Sequence, residues 1–206
     1  MVQGSVLIDE AIVRRRQLGF ELGVGLGLFI IGLVGVAMTA TIIDGKAIAK
    51  TVRAEVATRV QGLRDRGIVP KLAVVLVGDD AASAIYVRNK ERAAAEVGVE
   101  TVDHRLSADT SEDQLLALVD DLNGDASVHG ILVQLPVPKQ IDEQKVLDRI
   151  AAAKDVDGFH ADNIGRLAQG RPRFVSATPK GCMRLLAEAG AELRGAQAVV
   201  VGRSPN

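Results

Sequence analysis

Apolar and polar positions along the chain change period in a regular way from residue 44 onward. Between Asp44 and Gly67, Ile48, Val52, Val56, Val60 and Leu63 recur at helical spacing, which predicts an amphipathic helix ended by Gly67. "KLAVVLVG" (Lys71–Gly78) is then continuously apolar and β-branched, as a parallel strand buried on both faces requires. The stretch "IYVRNKERAAAEVG" (Ile85–Gly98) returns to a helical pattern, and "VETVDHRL" (Val99–Leu106) reads as a weaker strand. "SEDQLLALVDDLNG" opens with the capping box Ser111 and Gln114 and closes at Gly124. "HGILVQLPVP" is a second buried strand, and Asp142 to Ala153 a further helix. Strand and helix alternate, which predicts an α/β fold: a three-layer αβα domain around a mainly parallel sheet.

Past this body the pattern loosens. "KDVDGFHADNIGRLAQG" (Lys154–Gly170) reads as a loop rich in Asp, Asn and Gly. "TPKGCMRLLAEAG" (Thr178–Gly190) reads as a helix with Thr178 as N-cap and Pro179 in its first turn. "AQAVVVGRS" predicts a buried strand, Gln197–Val201, ending in Gly-Arg-Ser, the way a Rossmann-like dinucleotide-binding domain begins. The sequence stops at Asn206, before the helix such a domain needs, so this domain reads as truncated.

The other end departs from the pattern differently. From Leu22 to Met38 the sequence "LGVGLGLFIIGLVGVAM" carries no charge, and Arg14, Arg15 and Arg16 precede it. A basic cluster followed by an apolar run suits a short membrane anchor or a signal segment. It is also consistent with a soluble domain starting at Met38, the leader standing outside it. The organisation expected is therefore a leader over 1–38, a catalytic unit over 39–177, and a linking helix with a first strand over 178–206. A cytoplasmic location is expected, the alternative being anchorage through residues 22–38.

Composition narrows the function. The 206 residues are 48% hydrophobic and 25% charged, with a formal net charge of −1. That balance gives no basic field for nucleic acid, and 2% aromatic residues give few stacking platforms. The lone cysteine, Cys182, forms no internal disulfide and reads as a small core residue. His104, His129 and His160 are too scattered to suggest a metal site, and none is expected. Asp79 and Asp80 read as favourable charge ahead of a helix N-terminus.

Open parallel sheets place ligands beyond the carboxyl ends of their strands. Tyr86 and Lys90, neighbours one helical turn apart, follow the end of Lys71–Gly78, and Gln134 ends the next confident strand. Pro136 and Pro138 lack the N–H a ladder needs, so the strand must stop there. Residues far apart in sequence are thus expected at one sheet edge.

Five segments in order, "VGDDAASAIYVRNKERAAAEVG", "GILVQLPVPKQID", "KDVDGFHADNIGRL", "ATPKGCMRLL" and "VVVGRS", resemble the bifunctional methylenetetrahydrofolate dehydrogenase/cyclohydrolase family. The resemblance spans Thr39 to Ser204. It implies a folate-binding catalytic domain, an NADP-binding domain, a homodimer and a place in one-carbon metabolism. It implies that Tyr86, Lys90, Val133, Gln134, Leu135 and Asp157 line the tetrahydrofolate site, with Lys90, Tyr86 and Gln134 in catalysis. It also implies that Gly202, Arg203 and Ser204 contact NADP. The leader and the missing later glycine turns depart from the family pattern.

Those residue types suit that chemistry. The pterin edge offers adjacent N–H donors, which a carboxylate such as Asp157 accepts together. Water attack on a methenyl cation needs proton transfer near neutral pH, for which Lys90 beside Gln134 is the candidate. Tyr86 offers a flat face, and Arg203 a cation for a 2′-phosphate. The reaction expected oxidises 5,10-methylenetetrahydrofolate with NADP and hydrolyses the product to 10-formyltetrahydrofolate. The alternative is an inactive folate-binding or dimer-forming chain.

Overall fold

The computed structural model describes residues 7–8 and 41–199. The apolar run 22–38 and the Gly202–Ser204 turn lie outside the described residues. Two short strands, β1 (Leu7–Ile8) and β2 (Thr41–Ile42), pair antiparallel. Helix α1 (Gly45–Arg64) follows, with the Asp44 carboxylate accepting the N–H groups of Lys46 and Ala47, each at 3.0 Å. Beyond its end Gly67 takes φ 76°, a conformation open to glycine because it has no Cβ.

The centre is a three-stranded parallel sheet in the order β4-β3-β5, where β3 is Lys71–Val77, β4 Glu100–Leu106 and β5 Gly130–Val133. Its register pairs Lys71 with Glu100 and Leu72 with Gly130. Helices α2 (Ala81–Glu96) and α3 (Glu112–Gly124) make the crossovers, and α4 (Glu143–Arg149) follows β5.

Side chains on β3 alternate between the two faces, and each face has its own cover. Ala73, Val75 and Val77 join Ile131 and Val133 of β5 under Leu115, Val119 and Leu122 of α3 and Val146 of α4. Val74 and Leu76 turn to the opposite face with Leu132 and meet Val87 of α2. This is the expected three-layer arrangement, and it explains why β3 reads as an unbroken apolar run. The predicted capping box is also present: Ser111 Oγ accepts the Gln114 N–H at 3.2 Å, and Gln114 Oε1 accepts the Ser111 N–H at 2.9 Å. Replacing Ser111 by Ala leaves N–H donors at the start of α3 unpaired. A loss of about 1 kcal/mol in denaturant unfolding is expected, and an unchanged midpoint would mean that solvent replaces the cap.

Several elements differ from the pattern reading. The helix expected from Asp142 to Ala153 is the shorter α4, because Ile150 turns to ψ 127°. The Asn123 side chain grips the chain on both sides of that turn, donating to the Arg149 carbonyl and accepting from the Ala151 N–H, both at 2.8 Å. Within the stretch read as a loop stands a helix, α5 (Ala161–Ala168), started by His160, whose Nδ1 accepts the Asp162 N–H. Asp162 in its first turn and Arg166 in its last suit the helix dipole and pair with each other.

The last helix, α6 (Ala177–Glu188), has Ser176 rather than Thr178 at its N-cap position, with no side-chain capping bond, and Pro179 falls within the first turn. It buries none of its residues, so Cys182 is exposed and not a core residue. An Arg184 fork on Glu55 of α1, at 2.8 and 3.0 Å, ties it down. The strand expected at 197–201 is absent over its described part, and Val199 is 88% exposed. A strand exists only beside a hydrogen-bonded neighbour, and no described strand pairs with this segment. Among the described residues, no helix is long and apolar enough to cross a membrane.

Candidate active site

The carboxyl ends of β3 and β5 form a topological switch point. After β3 the chain leaves through α2 on one face; after β5 it continues to α4, packed on the other. At such a divergence open parallel sheets place their ligand crevice, between the two strand ends. Gly78, at φ 85°, turns the chain out of β3, and Asp80 then caps α2 by accepting the Ser83 N–H at 2.7 Å. Hydrogen bonding to Ser83 holds the Asp80 carboxyl below the usual carboxylate range.

Along α2, Ser83 and Val87 are buried, and Lys90 continues their inward stripe, half-buried. Tyr86 stands on the flank of that stripe, 48% exposed.

From the other side, the Gln134 N–H extends the β3–β5 ladder by one bond, donating to the Val75 carbonyl at 2.8 Å. This fixes the Gln134 backbone to the end of β3. Its side chain bridges back across the crevice: Lys90 Nζ donates to Gln134 Oε1 at 3.1 Å. The Gln134 amide nitrogen donates to the Leu135 carbonyl, which settles which end of the amide faces the lysine. Lys90 and Gln134, 44 positions apart, therefore meet as their placement at the strand ends predicts. The Val133 side chain belongs to the core, so it faces the crevice only through its backbone. Leu135 is half-buried, and the bond from Leu135 to the exposed Pro136 is cis.

Asp157 arrives by a third route. The segment after α4 runs beside β5, with Ile131 N–H donating to the Lys154 carbonyl at 2.7 Å and Asp155 opposite Ile131 as a parallel bridge. Beyond that single bridge the chain turns, and Asp157 stands in the turn two residues past Asp155. Burial pushes the Asp157 carboxyl above the usual carboxylate range; the Lys90 ammonium opposes the shift and the Asp155 charge adds to it. Lys90 is thus within electrostatic reach of both Gln134 and Asp157. The structure brings Lys90 together with Gln134 and within electrostatic reach of Asp157, while Tyr86 stands one helical turn before Lys90 on α2.

Two members of the Lys-Asp-Val-Asp-Gly motif have roles that sequence reasoning missed. Lys154 Nζ donates to the carbonyls of Leu122, Asn123 and Asp125 at 2.7 to 2.9 Å, closing the carboxyl end of α3, where a cation is favoured. Asp155 is 2% exposed and accepts three hydrogen bonds from its own loop and from α5. The available signal was the motif itself, five residues of which the folate chemistry used one.

A family described as tetrahydrofolate dehydrogenase/cyclohydrolase, catalytic domain, matches residues 43–157 of this sequence. The chain belongs to that family. The tetrahydrofolate dehydrogenase/cyclohydrolase match ends at Asp157, and relatives extend the likeness further. The bifunctional protein FolD of Pelobacter propionicus is 58% identical over 165 residues, covering 80% of this chain and 58% of its own. Among solved structures, the bifunctional FolD methylenetetrahydrofolate dehydrogenase/cyclohydrolase of Campylobacter jejuni superposes with a TM-score of 0.70 at 43% identity. That match covers 72% of this chain and 53% of the other. The Trypanosoma brucei FolD structure, complexed with NADP cofactor and inhibitor, has a TM-score of 0.70 at 34% identity, covering 73% and 52%. The chain thus spans little more than half the length of the relatives it matches.

Proposed function

We propose that this chain supplies the folate-binding catalytic half of an enzyme with two activities. One oxidises 5,10-methylenetetrahydrofolate to the 5,10-methenyl form with NADP; the other hydrolyses that form to 10-formyltetrahydrofolate. The observation that carries the reading is the Lys90–Gln134 bond across the strand-end crevice, with Asp157 in electrostatic reach of the same lysine. In this reading Asp157 accepts the paired N–H donors of the pterin, and Tyr86 lies against the ring system. Lys90, oriented by Gln134, moves a proton as water adds to the methenyl carbon. Val133 and Leu135 contribute through the turn they build.

NADP, when bound, accepts the hydride. The Gly202–Ser204 turn assigned to it lies outside the described residues, and no described strand leads into a glycine turn of the dinucleotide-binding kind. Residues 39–177 form the folate unit in this proposal, and 178–206 link it to the nucleotide domain. A homodimer in the cytoplasm completes it, the family resemblance supporting the dimer.

The test is direct. The purified chain is titrated with folic acid by calorimetry, then given 5,10-methenyltetrahydrofolate while the methenyl chromophore is followed. Saturable folic acid binding and decay faster than in buffer are expected. Gln134→Ala, which frees Lys90 from its partner, should weaken folic acid binding about tenfold. A well-folded chain that leaves both folic acid and the chromophore untouched overturns the reading.

A further inference from the structure

Among the described residues no hydrogen bond holds the Asp157 side chain, yet the proposed chemistry needs its carboxylate at a fixed place. The loop around it is organised from behind. The Asp155 carboxylate accepts the Gly158 N–H at 3.0 Å through one oxygen. Its other oxygen accepts the His160 N–H at 2.9 Å and the Asn163 amide at 2.8 Å. Residues 156–159 are therefore wound round a single buried carboxylate, and Asp157 lies inside the winding. Gly158 permits the winding at φ 74°, where a side-chain carbon would stand 3.3 Å from the Ser176 nitrogen.

Among the described residues no cation pairs with Asp155, an arrangement that costs free energy unless polarised donors compensate. Asn163, fully buried on α5, supplies one. Its amide nitrogen donates to Asp155 and, at 2.9 Å, to the Ala152 carbonyl; its oxygen accepts from Arg173 Nη1 at 3.1 Å. Only one orientation of the amide satisfies all three. Arg173 is held in turn by Asp162 at 2.8 Å. A cation at the surface thus acts on a buried anion through one amide, each bond polarising the next.

We propose that Asp155, Asn163 and Arg173 form a positioning relay that fixes the Asp157 carboxylate at the mouth of the crevice. The relay rests on the folate reading of Asp157, but it has a readout independent of folate. Asp157 titrates under two charges, Lys90 from α2 and Asp155 from its own loop, and under burial that the winding enforces. Asp155→Asn removes the charge that raises the Asp157 carboxyl and leaves one acceptor where two stood. Arg173→Gln loosens the winding from a distance.

The experiment uses the 206-residue chain. Carbon-13 NMR follows the Asp157 carboxyl through pH without ligand, and calorimetry measures folic acid binding. In both variants the Asp157 midpoint should fall toward the ordinary carboxylate value. Folic acid affinity should drop about tenfold in Asp155→Asn and about threefold in Arg173→Gln. Arg184→Gln, which breaks the distant Glu55 pair, should lower the melting temperature and leave the Asp157 midpoint where it was. An unmoved midpoint in folded variants overturns the relay; if Asp155→Asn does not fold, Arg173→Gln decides alone. If Asp157→Asn keeps full folic acid affinity, the folate reading fails, while the midpoints still judge the relay.

Discussion

Asp157→Asn is expected to bind folic acid roughly a hundredfold more weakly than the wild type, and to melt at a higher temperature. The two effects share one cause. Burial and the Asp155 charge hold the Asp157 carboxyl above its ordinary value, against the pull of Lys90. The folded chain therefore keeps a proton on Asp157 that the unfolded chain has already released. Stability falls as pH rises from the ordinary carboxylate value through the raised one, and the cost stays in place at neutral pH. Asparagine removes the ionisation and with it the cost. In the proposed folate site it also presents an N–H₂ group where the pterin would present its own N–H donors, so the bidentate contact would be lost. For the same reason, folic acid binding by the wild type should weaken on acidification at a pH above that of an ordinary aspartate. Calorimetry at neutral pH and a thermal melt check both halves. Full affinity, or a lower melting temperature, would contradict the assignment of Asp157 as an ionised, desolvated acceptor.

The second large effect is expected away from the charged groups. A Cβ added at Gly130 would stand 2.5 Å from Cγ1 of Val156 and 3.3 Å from Cδ1 of Leu72. Gly130 opens β5 opposite Leu72, and Val156 lies between Asp155 and Asp157 in the chain. Valine at 130 must therefore push the 154–158 segment off the sheet or pull β5 from β3. Either should cost about 3 kcal/mol and should abolish folic acid binding together with it, because Asp157 moves with Val156. Gly130→Ala should show a smaller loss in the same direction. Unchanged denaturant midpoints would mean that Val156 can rotate away freely, and that the loop is less firmly seated than its bonds to Asp155 and Ile131 indicate.

Sequence made legible whatever depends on period and on strand ends. The unbroken apolar run of β3 announced a strand covered on both faces. The prolines after Gln134 announced where β5 must stop, and from those two ends the meeting of Lys90 with Gln134 followed. Illegible were features set by single side chains acting across the fold. Asn123 shortens α4 by bonding to both sides of Ile150, and no local pattern at 150 reports a residue so far upstream. Helix α5 hides in a stretch rich in loop-forming residues because its cap is a histidine and its buried residue an asparagine. Asp155 stands in a stretch that reads as a loop, and no local pattern there reports that its carboxylate is buried. Cys182 was misplaced because α6 carries apolar residues but buries none of them.

The strand order also bears on how the molecule is made. Central β3 takes both of its partners from later in the chain, with Lys71 opposite Glu100 and Leu72 opposite Gly130. As the polypeptide leaves the ribosome, Ala73, Val75 and Val77 emerge long before the α3 and α4 side chains that cover them. Loop closure over such separations is slow, and an uncovered parallel strand is a template for wrong pairing. A nascent chain halted before Ile150 would expose the most apolar strand of the protein, which makes the interval between residues 77 and 150 the one in which a chaperone has the most to protect.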